Sequence, residues 1–324
     1  MSNFDTKKAF CILQRQIKHN QWFGRFAKAL NFKENQQISD FWEWPYISVD
    51  AFKKIDGFRC TDTKNYESIF MSSGTASSSM RAKHYVRELN LYKQQSLATF
   101  YHKYPKEQFA TFAFLPAYSN NPNSSLVQML QFIVEDDESK SSAFLDLKNP
   151  TISEKILKKL RVENKKAVLF GAAFGLVDIA EKRGLELPEN SVIIETGGMK
   201  THRKEMTREQ IKEVLAGGFG IPKANIHSEY GMCELLSQAY EQGDGWYECT
   251  PWMKVFARPF NQPFAEPIIN EIGQLYVIDL INEYSCSFLQ LKDQGIVDEN
   301  GRFQVLGRIP TAELRGCNYL MEQN

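Results

Sequence analysis

The sequence predicts an α/β protein: a mainly parallel sheet flanked by helices, followed by a small β-rich subdomain towards the carboxyl end. Three observations carry this. From about residue 109, short apolar runs alternate with stretches of helical periodicity. Strands and helices that take turns need crossover connections, and hence a parallel sheet. After Pro267 the texture changes to ribbons with tight turns, of which Asn300-Gly301 is the strongest hairpin signal.

The first 60 residues read as helical and aromatic. Ala9, Phe10, Leu13 and Ile17 recur at helical spacing, and Trp22, Phe23, Phe26 and Leu30 do so again. Such stripes report burial; they leave open whether Trp22, Phe23 and Phe26 are core or roof a substrate pocket. Pro45 then punctuates "FWEWPYISVDAF". "ATFAFLPAY" is a buried strand ending in a turn, and Leu126, Met129, Leu130 and Ile133 give the next helical face. "KAVLFG" is a strand, and "AAFGLVDIAEKRG" a helix that Gly184 closes as a C-cap. "SVIIETGG" is a strand. "TREQIKEVLAGGFG" is a helix whose Thr207 and Gln210 stand at capping-box spacing. "NIHSEYG" is a short strand, with Glu234 in a helix beyond its glycine turn. "IGQLYVIDL" and "GIVDENGRFQVLG" form antiparallel ribbons. The expected division is 1–265, an α/β region with a helical start, and 266–324, the β-rich subdomain.

Composition narrows the function classes. The chain has 324 residues, 43% hydrophobic and 24% charged, as in a globular domain with a sizeable core. Lys plus Arg equals Asp plus Glu, 39 each, so there is no excess positive charge to coat a nucleic acid. No apolar run of about 18 residues is present to span a membrane. The first ten residues hold Asp5, Lys7 and Lys8 and no signal-peptide core. The six cysteines are scattered without a C-x-x-C pair, and the five histidines form no H-E-x-x-H. A zinc site is therefore not expected, and a reducing, cytoplasmic setting is.

In open α/β sheets, ligands sit beyond the carboxyl ends of the strands. Polar turns fall at three such ends: 72–79 behind "SIFM", 196–200 behind "SVIIE" and 229–234 behind "NIHS". In the first, Gly74 lets backbone N–H groups approach an anion, and Ser72, Ser73 and Thr75 add hydroxyl donors without bulk. The same residues also suit an ordinary turn. In the second, Gly197 and Gly198 let a flat ligand lie against bare backbone. Lys200, Arg203 and Lys204 then place three positive charges within five residues, as a ligand site or a solvated face would. In the third, Glu234 is either a solvent-facing carboxylate or, opposite a polyphosphate, a ligand for Mg²⁺. His227 reads as a satisfied core histidine. Asp293, taken as a loop residue, suits a ribose diol; Arg308 and Arg315, beside Gly307 and Gly316, suit a phosphate or are surface charge. Cys317 is a nucleophile or an inert small hydrophobe.

In order, "SSGT", "ETGGMK", "EYGMCEL", the Asp before "GIVDENGRF", and "LGR" resemble the motifs of adenylate-forming enzymes. More closely, "SEYGMCELLSQAY" and "DLINEYSCSFLQLKDQG…FQVLGRI…RGCNYL" resemble the acyl-protein synthetase family, from about residue 66 to the end. That family is typified by the fatty-acid-activating component of bacterial bioluminescence and is related to phenylacetate–CoA ligases. The resemblance implies the large N-terminal domain of adenylate-forming enzymes. It also implies ATP and Mg²⁺, and activation of a fatty or aromatic carboxylic acid followed by transfer to a thiol of a protein cysteine, a carrier or CoA. An acyl carrier, or a partner reductase or thioesterase, is the implied associate.

Carried onto matching positions, Ser72, Ser73, Gly74 and Thr75 hold the phosphates, and Gly197, Gly198 and Met199 line the adenine. Glu229, Tyr230 and Gly231 flank the nucleotide. Glu234 binds the metal, Asp293 the ribose, and Arg308 a ribose or phosphate at the hinge. Cys317 stands where that synthetase carries its acyl group. Two departures matter. The stretch 76–80 lacks the Lys that wider relatives carry after "SGT", and a full C-terminal catalytic domain with its Lys is not expected beyond Arg308. Lys83, Lys200 or Lys204 is the expected substitute, with His84 a further catalytic candidate. Two alternatives stay open: an acyltransferase that uses a pre-activated donor, for which Cys317 or His84 matters most, and a non-catalytic acyl- or nucleotide-binding partner.

Overall fold

The structure, a computed structural model, describes residues 4–32, 40–62, 65–72, 81–116, 122–182, 185, 187–188, 190–197 and 206–309. Its elements begin with α1 (Thr6–His19), α2 (Gln21–Ala29), β1 (Ile47–Ser48), α3 (Ala51–Lys54), β2 (Ser68–Met71), β3 (Lys83–Val86) and α4 (Leu89–Lys103). A run of alternating elements follows: β4 (Phe109–Phe114), α5 (Ser125–Asp136), β5 (Ala143–Phe144), α6 (Glu154–Val162), β6 (Lys166–Ala172), α7 (Ala173–Lys182), β7 (Val192–Thr196), α8 (Arg208–Phe219) and β8 (Ile226–Tyr230). The last six strands are β9 (Ala239–Glu241), β10 (Tyr247–Glu248), β11 (Met253–Arg258), β12 (Gly273–Asp279), β13 (Phe288–Val297) and β14 (Phe303–Arg308). They pack as two compact units, one of residues 1–66, 82–87 and 248–324, the other of 67–81 and 88–247.

The second unit is built on strands in the order β5-β4-β6-β7-β8-β9. The first five run parallel, and β9 turns back antiparallel on β8. Covered on both faces, β6 and β7 read as nearly unbroken apolar runs, and all five residues of β7 are buried. On one face Leu176, Val177, Ile211 and Leu215, from α7 and α8, pack against Leu169 and Ile193 of the sheet. On the other, the rings of Phe100, Tyr104, Phe170 and Tyr240 meet edge-on, tilted or stacked. Local chemistry fixes the helix starts. Ser124 and Ser153 cap α5 and α6, and Thr207 with Gln210 closes the expected capping box on α8. Gly184, the expected cap of α7, lies outside the described residues.

The first unit is an antiparallel meander β11-β12-β13-β14, with β1 parallel to β13. Its N-terminal helices are tied by buried amides. Gln16 donates to the Asn282 carbonyl at 2.9 Å, and Asn20 to the Ser285 carbonyl at 2.9 Å while capping α2. Phe23 is core, 6.0 Å from Phe288, and Trp22 is 41% exposed.

Two local expectations are corrected. The residues after Gly231 make no helix: Ala239 pairs with Tyr230, so the chain must reverse and return to its starting level within eight residues, 231–238. It does so by a turn closed by Leu235 N–H on the Met232 carbonyl, with Leu235 and Leu236 buried beneath. Asp293 lies in strand β13 rather than a loop, because Arg308 opposite it on β14 satisfies its charge.

Two neighbouring glycines of α8 test the packing of α7 on α8. A β-carbon on Gly218 would come within 2.5 Å of the Ala180 backbone and side chain, whereas one on Gly217 would meet nothing within 4 Å. Gly218→Ala is expected to destabilise the chain by about 1–3 kcal/mol. Gly217→Ala is expected to be neutral or stabilising by up to about 1 kcal/mol. Denaturant midpoints of the two variants check this.

Candidate functional site

Because β6, β7 and β8 run in one direction, their carboxyl ends share one edge of the sheet. The registers set Ala172 opposite Thr196, and Thr196 opposite Glu229. The first residues of two of the three predicted polar turns, Thr196 and Glu229, therefore meet here. Gly197 leaves β7 with φ +75°, and an added β-carbon would meet no atom of the described residues within 4 Å. Gly231 answers the opposite need. A β-carbon there would stand 2.3 Å from Glu229 Oε1, so the Glu229 side chain folds over the glycine and would have to move for any larger residue.

Side chains alternate across the strands, and the polar ones sort onto two faces. On the α8 face, Ser228 Oγ donates to Glu195 at 2.5 Å, and Lys212 pairs with Glu241 at 3.1 Å. Arg208 lies 5.0 Å over the ring of Tyr247. Burial raises the pKa of Glu195; the charge of Arg208 and the Ser228 hydrogen bond work against that rise. On the opposite face, Thr196 Oγ1 donates to Glu229 Oε2, closing a clasp between the ends of β7 and β8. Burial pushes the Glu229 carboxyl up to about 7; the Thr196 bond pulls it down and negative Glu195 adds to the rise. On the same strand, His227 Nδ1 lies 2.8 Å from the Tyr104 hydroxyl and Nε2 3.2 Å from the Ala224 carbonyl. A carbonyl can only accept, so Nε2 carries the proton and Nδ1 accepts from Tyr104. Burial holds the pKa of His227 down at about 4. His227 is a satisfied core histidine, as its sequence setting indicated.

Other predicted residues are distributed as follows. Tyr230 is buried, its ring 5.8 Å from Tyr247. Glu234 is 7% exposed, in the turn between β8 and β9. Ser72 follows the end of β2 and is half-buried. In the first unit, Lys83 pairs with Asp56 at 3.0 Å on the surface. His84 is buried against Phe52, its Nε2 2.8 Å from Ser285 Oγ. Asp293 is buried and paired with Arg308 at 3.1 Å. Ser73, Gly74, Thr75, Gly198, Met199, Lys200, Lys204 and Cys317 lie outside the described residues.

Sequence reasoning missed the clasp donor Thr196 as an individual group, and missed Glu195, Ser228 and Arg208. The available signal was polar residues inside strands otherwise buried on both faces, "IIET" and "IHSEY". Among the described residues no group of three or more His, Cys, Asp or Glu side chains is disposed to hold a metal ion. One carboxylate is nonetheless a sufficient protein contribution for magnesium, which keeps several waters and shares the oxygens of a bound phosphate chain. Glu234 fits that demand, and the backbone at Gly197, which carries no side chain, fits a flat heterocycle.

A sequence profile of the family described as "Acyl-protein synthetase, LuxE" matches residues 3–324. No curated protein matches the sequence. Among solved structures, the chain is similar to an open conformation of 2-hydroxyisobutyryl-CoA ligase in complex with 2-HIB-AMP and CoA. That match has a TM-score of 0.66 at 12% identity, over 93% of this chain and 73% of that one. The same ligase in its postadenylation state, in complex with R3-HIB-AMP, gives 0.62 at 11% identity, over 94% and 67%. ATP-bound MatB from Rhodopseudomonas palustris gives 0.50 at 14% identity, over 77% and 50%, so the chain spans about half the length of that protein. These likenesses establish a common fold, that of adenylate-forming enzymes. No described helix is long and apolar enough to cross a membrane.

The clasp makes a stability prediction. A carboxyl whose folded pKa of about 7 exceeds its unfolded 4.5 stabilises the folded state below pH 4.5, and that contribution is lost as pH rises through 7. The stability difference between the natural chain and Glu229→Gln, which cannot titrate, is therefore expected to fall by about 3 kcal/mol from pH 4.5 to 7.5. Paired urea titrations across that range measure it; a flat difference contradicts the raised pKa.

Proposed function

The chain belongs to the acyl-protein synthetase (LuxE) family, and we propose that it activates a fatty or aromatic carboxylic acid with ATP and passes the acyl group to a thiol. The family match over residues 3–324 carries the reading, and the fold shared with adenylate-forming ligases agrees with it. In the first step a carboxylate oxygen attacks the α-phosphorus, the bond to the bridging oxygen breaks, and pyrophosphate leaves an acyl-adenylate. In the second, a thiol sulfur attacks the acyl carbonyl and AMP leaves. The protein's part in the first step is to hold the reactants in line and to offset negative charge.

The carboxyl edge of β6, β7 and β8 is suited to this. Gly197 offers backbone without a side chain to a flat base, and Glu229, Tyr230 and Gly231 form the adjoining wall of the nucleotide site. Glu234 is the proposed ligand of the Mg²⁺ that accompanies ATP, a metal that neutralises phosphate charge when bound. Ser72 with Ser73, Gly74 and Thr75 is proposed to cradle the phosphates, Gly198 and Met199 to extend the adenine surface, and Lys200 to supply positive charge. Cys317 is the proposed resting place of the acyl group. A cytoplasmic site of action is part of the same proposal.

The folded chain, given ATP, Mg²⁺ and a panel of fatty and aromatic acids, is expected to catalyse acid-dependent exchange of pyrophosphate into ATP. It should also gain the mass of the acyl group when its spectrum is recorded intact. Silence across the panel would remove the reading. Glu234→Gln is expected to slow exchange by about 10²-fold. Activity that needs only a pre-activated acyl thioester, with no exchange, would instead indicate an acyltransferase.

A further inference from the structure

Resting on the activity proposed above, we propose that the activated acid carries a hydroxyl group, and that Ser96 of α4 and Gln238 just before β9 bind that hydroxyl together. The buried stripe of α4 is Tyr92, Ser96, Thr99 and Phe100, at helical spacing. Thr99 returns its hydroxyl to the Gln95 carbonyl at 2.8 Å, the common resort of a hydroxyl inside a helix. Ser96 does not. It is 0% exposed, and its Oγ has no hydrogen-bond partner among the described residues. Gln238 is 4% exposed. Its Nε2 donates to the Leu236 carbonyl at 3.2 Å, which orients the amide and leaves Oε1 without a donor among the described residues. Gln95 Oε1, one position before Ser96, is a further unpartnered acceptor.

Two periodicities bring Ser96 and Gln238 to one place. The ring of Tyr104 lies 5.7 Å from His227 of β8, and that of Phe100 lies 6.1 Å from Tyr240 of β9. Tyr240 stands opposite Glu229, two residues along β8 from His227. One turn back along α4, from Tyr104 to Phe100, thus matches a two-residue step towards the carboxyl end of β8. The next turn back reaches Ser96. The next step along the sheet reaches Gln238, which strand alternation sets on the side of Tyr240. Four helical residues advance about 6 Å and two strand residues about 6.6 Å, so the two series keep pace. The meeting point lies at the same end of β8 as the proposed nucleotide wall, where acid and ATP must meet.

The chemistry of the two groups selects the ligand. A buried oxygen without a partner costs free energy, and these two do not bond to each other. The Gln238 oxygen can only accept, and the Ser96 hydroxyl can donate. A ligand hydroxyl satisfies both, donating to Gln238 and accepting from Ser96. A keto group has no proton for Gln238, and a methyl group serves neither. The rings of Tyr92, Phe100 and Tyr240 flank these groups and suit a carbon skeleton. An analogue that lacks the hydroxyl leaves both groups unpaired, so such a site discriminates strongly.

The test uses the full chain and acids that differ only by a hydroxyl: octanoate against its α-, β- and ω-hydroxy derivatives, and benzoate against para-hydroxybenzoate. Pyrophosphate exchange is measured with ATP, and binding of each acid by calorimetry without it. At least one hydroxy acid is expected to bind more tightly than its parent and to exceed it in kcat/KM for exchange by about 10²-fold. Ser96→Ala should shrink that preference to about tenfold or less. It should also keep or raise the urea midpoint, since the lost hydroxyl has no protein partner. Thr99→Val, whose hydroxyl is committed within the helix, should keep the preference. Gln238→Leu should lose it, and decides the matter if Ser96→Ala does not fold. No preference in any pair, or a preference intact in both variants, overturns the proposal. So does a lowered midpoint in Ser96→Ala with the preference unchanged, which indicates an ordered water only. Ser96-dependent binding of a hydroxy acid without exchange counts against the activity alone. Exchange that treats parent and hydroxy acids alike counts against the hydroxyl site alone, and neither binding nor exchange with any acid removes both.

Discussion

One register, Thr196 of β7 opposite Glu229 of β8, organises the site. It places a hydroxyl where a buried carboxylate needs a donor, and it turns Glu229 away from Glu195 and Glu241. A slip of one residue would send Glu229 to the face those two acids occupy. Three carboxylates would then crowd one buried surface, and the Thr196 hydroxyl would lose its acceptor. Repulsion and desolvation both oppose that arrangement. The tight reversal from β8 to β9 follows from the same register, since Ala239 must return to the level of Tyr230.

Helix α8 shows how the acids on the other face are tolerated. Its first two turns carry Arg208 and Lys212 over Glu195 and Glu241, while Ile211, Leu215 and Phe219 supply its apolar packing. The helix thus neutralises the sheet near the site and buries apolar surface away from it. Removing one partner of such a buried pair is more damaging than the pair's own net worth, because the other charge is left unpaired.

Much of the fold was legible in the sequence because it rests on period and punctuation. "KAVLFG", "SVIIET" and "NIHSEY" became β6, β7 and β8, and Thr207-x-x-Gln210 became a capping box. The Asn300-Gly301 turn joins β13 to β14 as its dipeptide indicated. The segment after Gly231 was misread because "MCELLSQ" has helix-forming residues, and local propensity yields to the demand that β9 pair with β8. Asp293 was misread because its partner Arg308 lies on the next strand, and sequence spacing does not display that contact. Of the site, the glycines and acids were visible as residue types. The division of Glu195 and Glu229 between two faces, and the hold of Thr196 on Glu229, depend on inter-strand register and became apparent only in three dimensions.

The most direct test of a nucleotide site at these strand ends is a structure of the full chain with a non-hydrolysable acyl-adenylate analogue. The adenine is expected against the Gly197 backbone and the wall formed by residues 229–231, with its phosphate towards Glu234. Analogue bound away from the carboxyl ends of β7 and β8 would contradict the account.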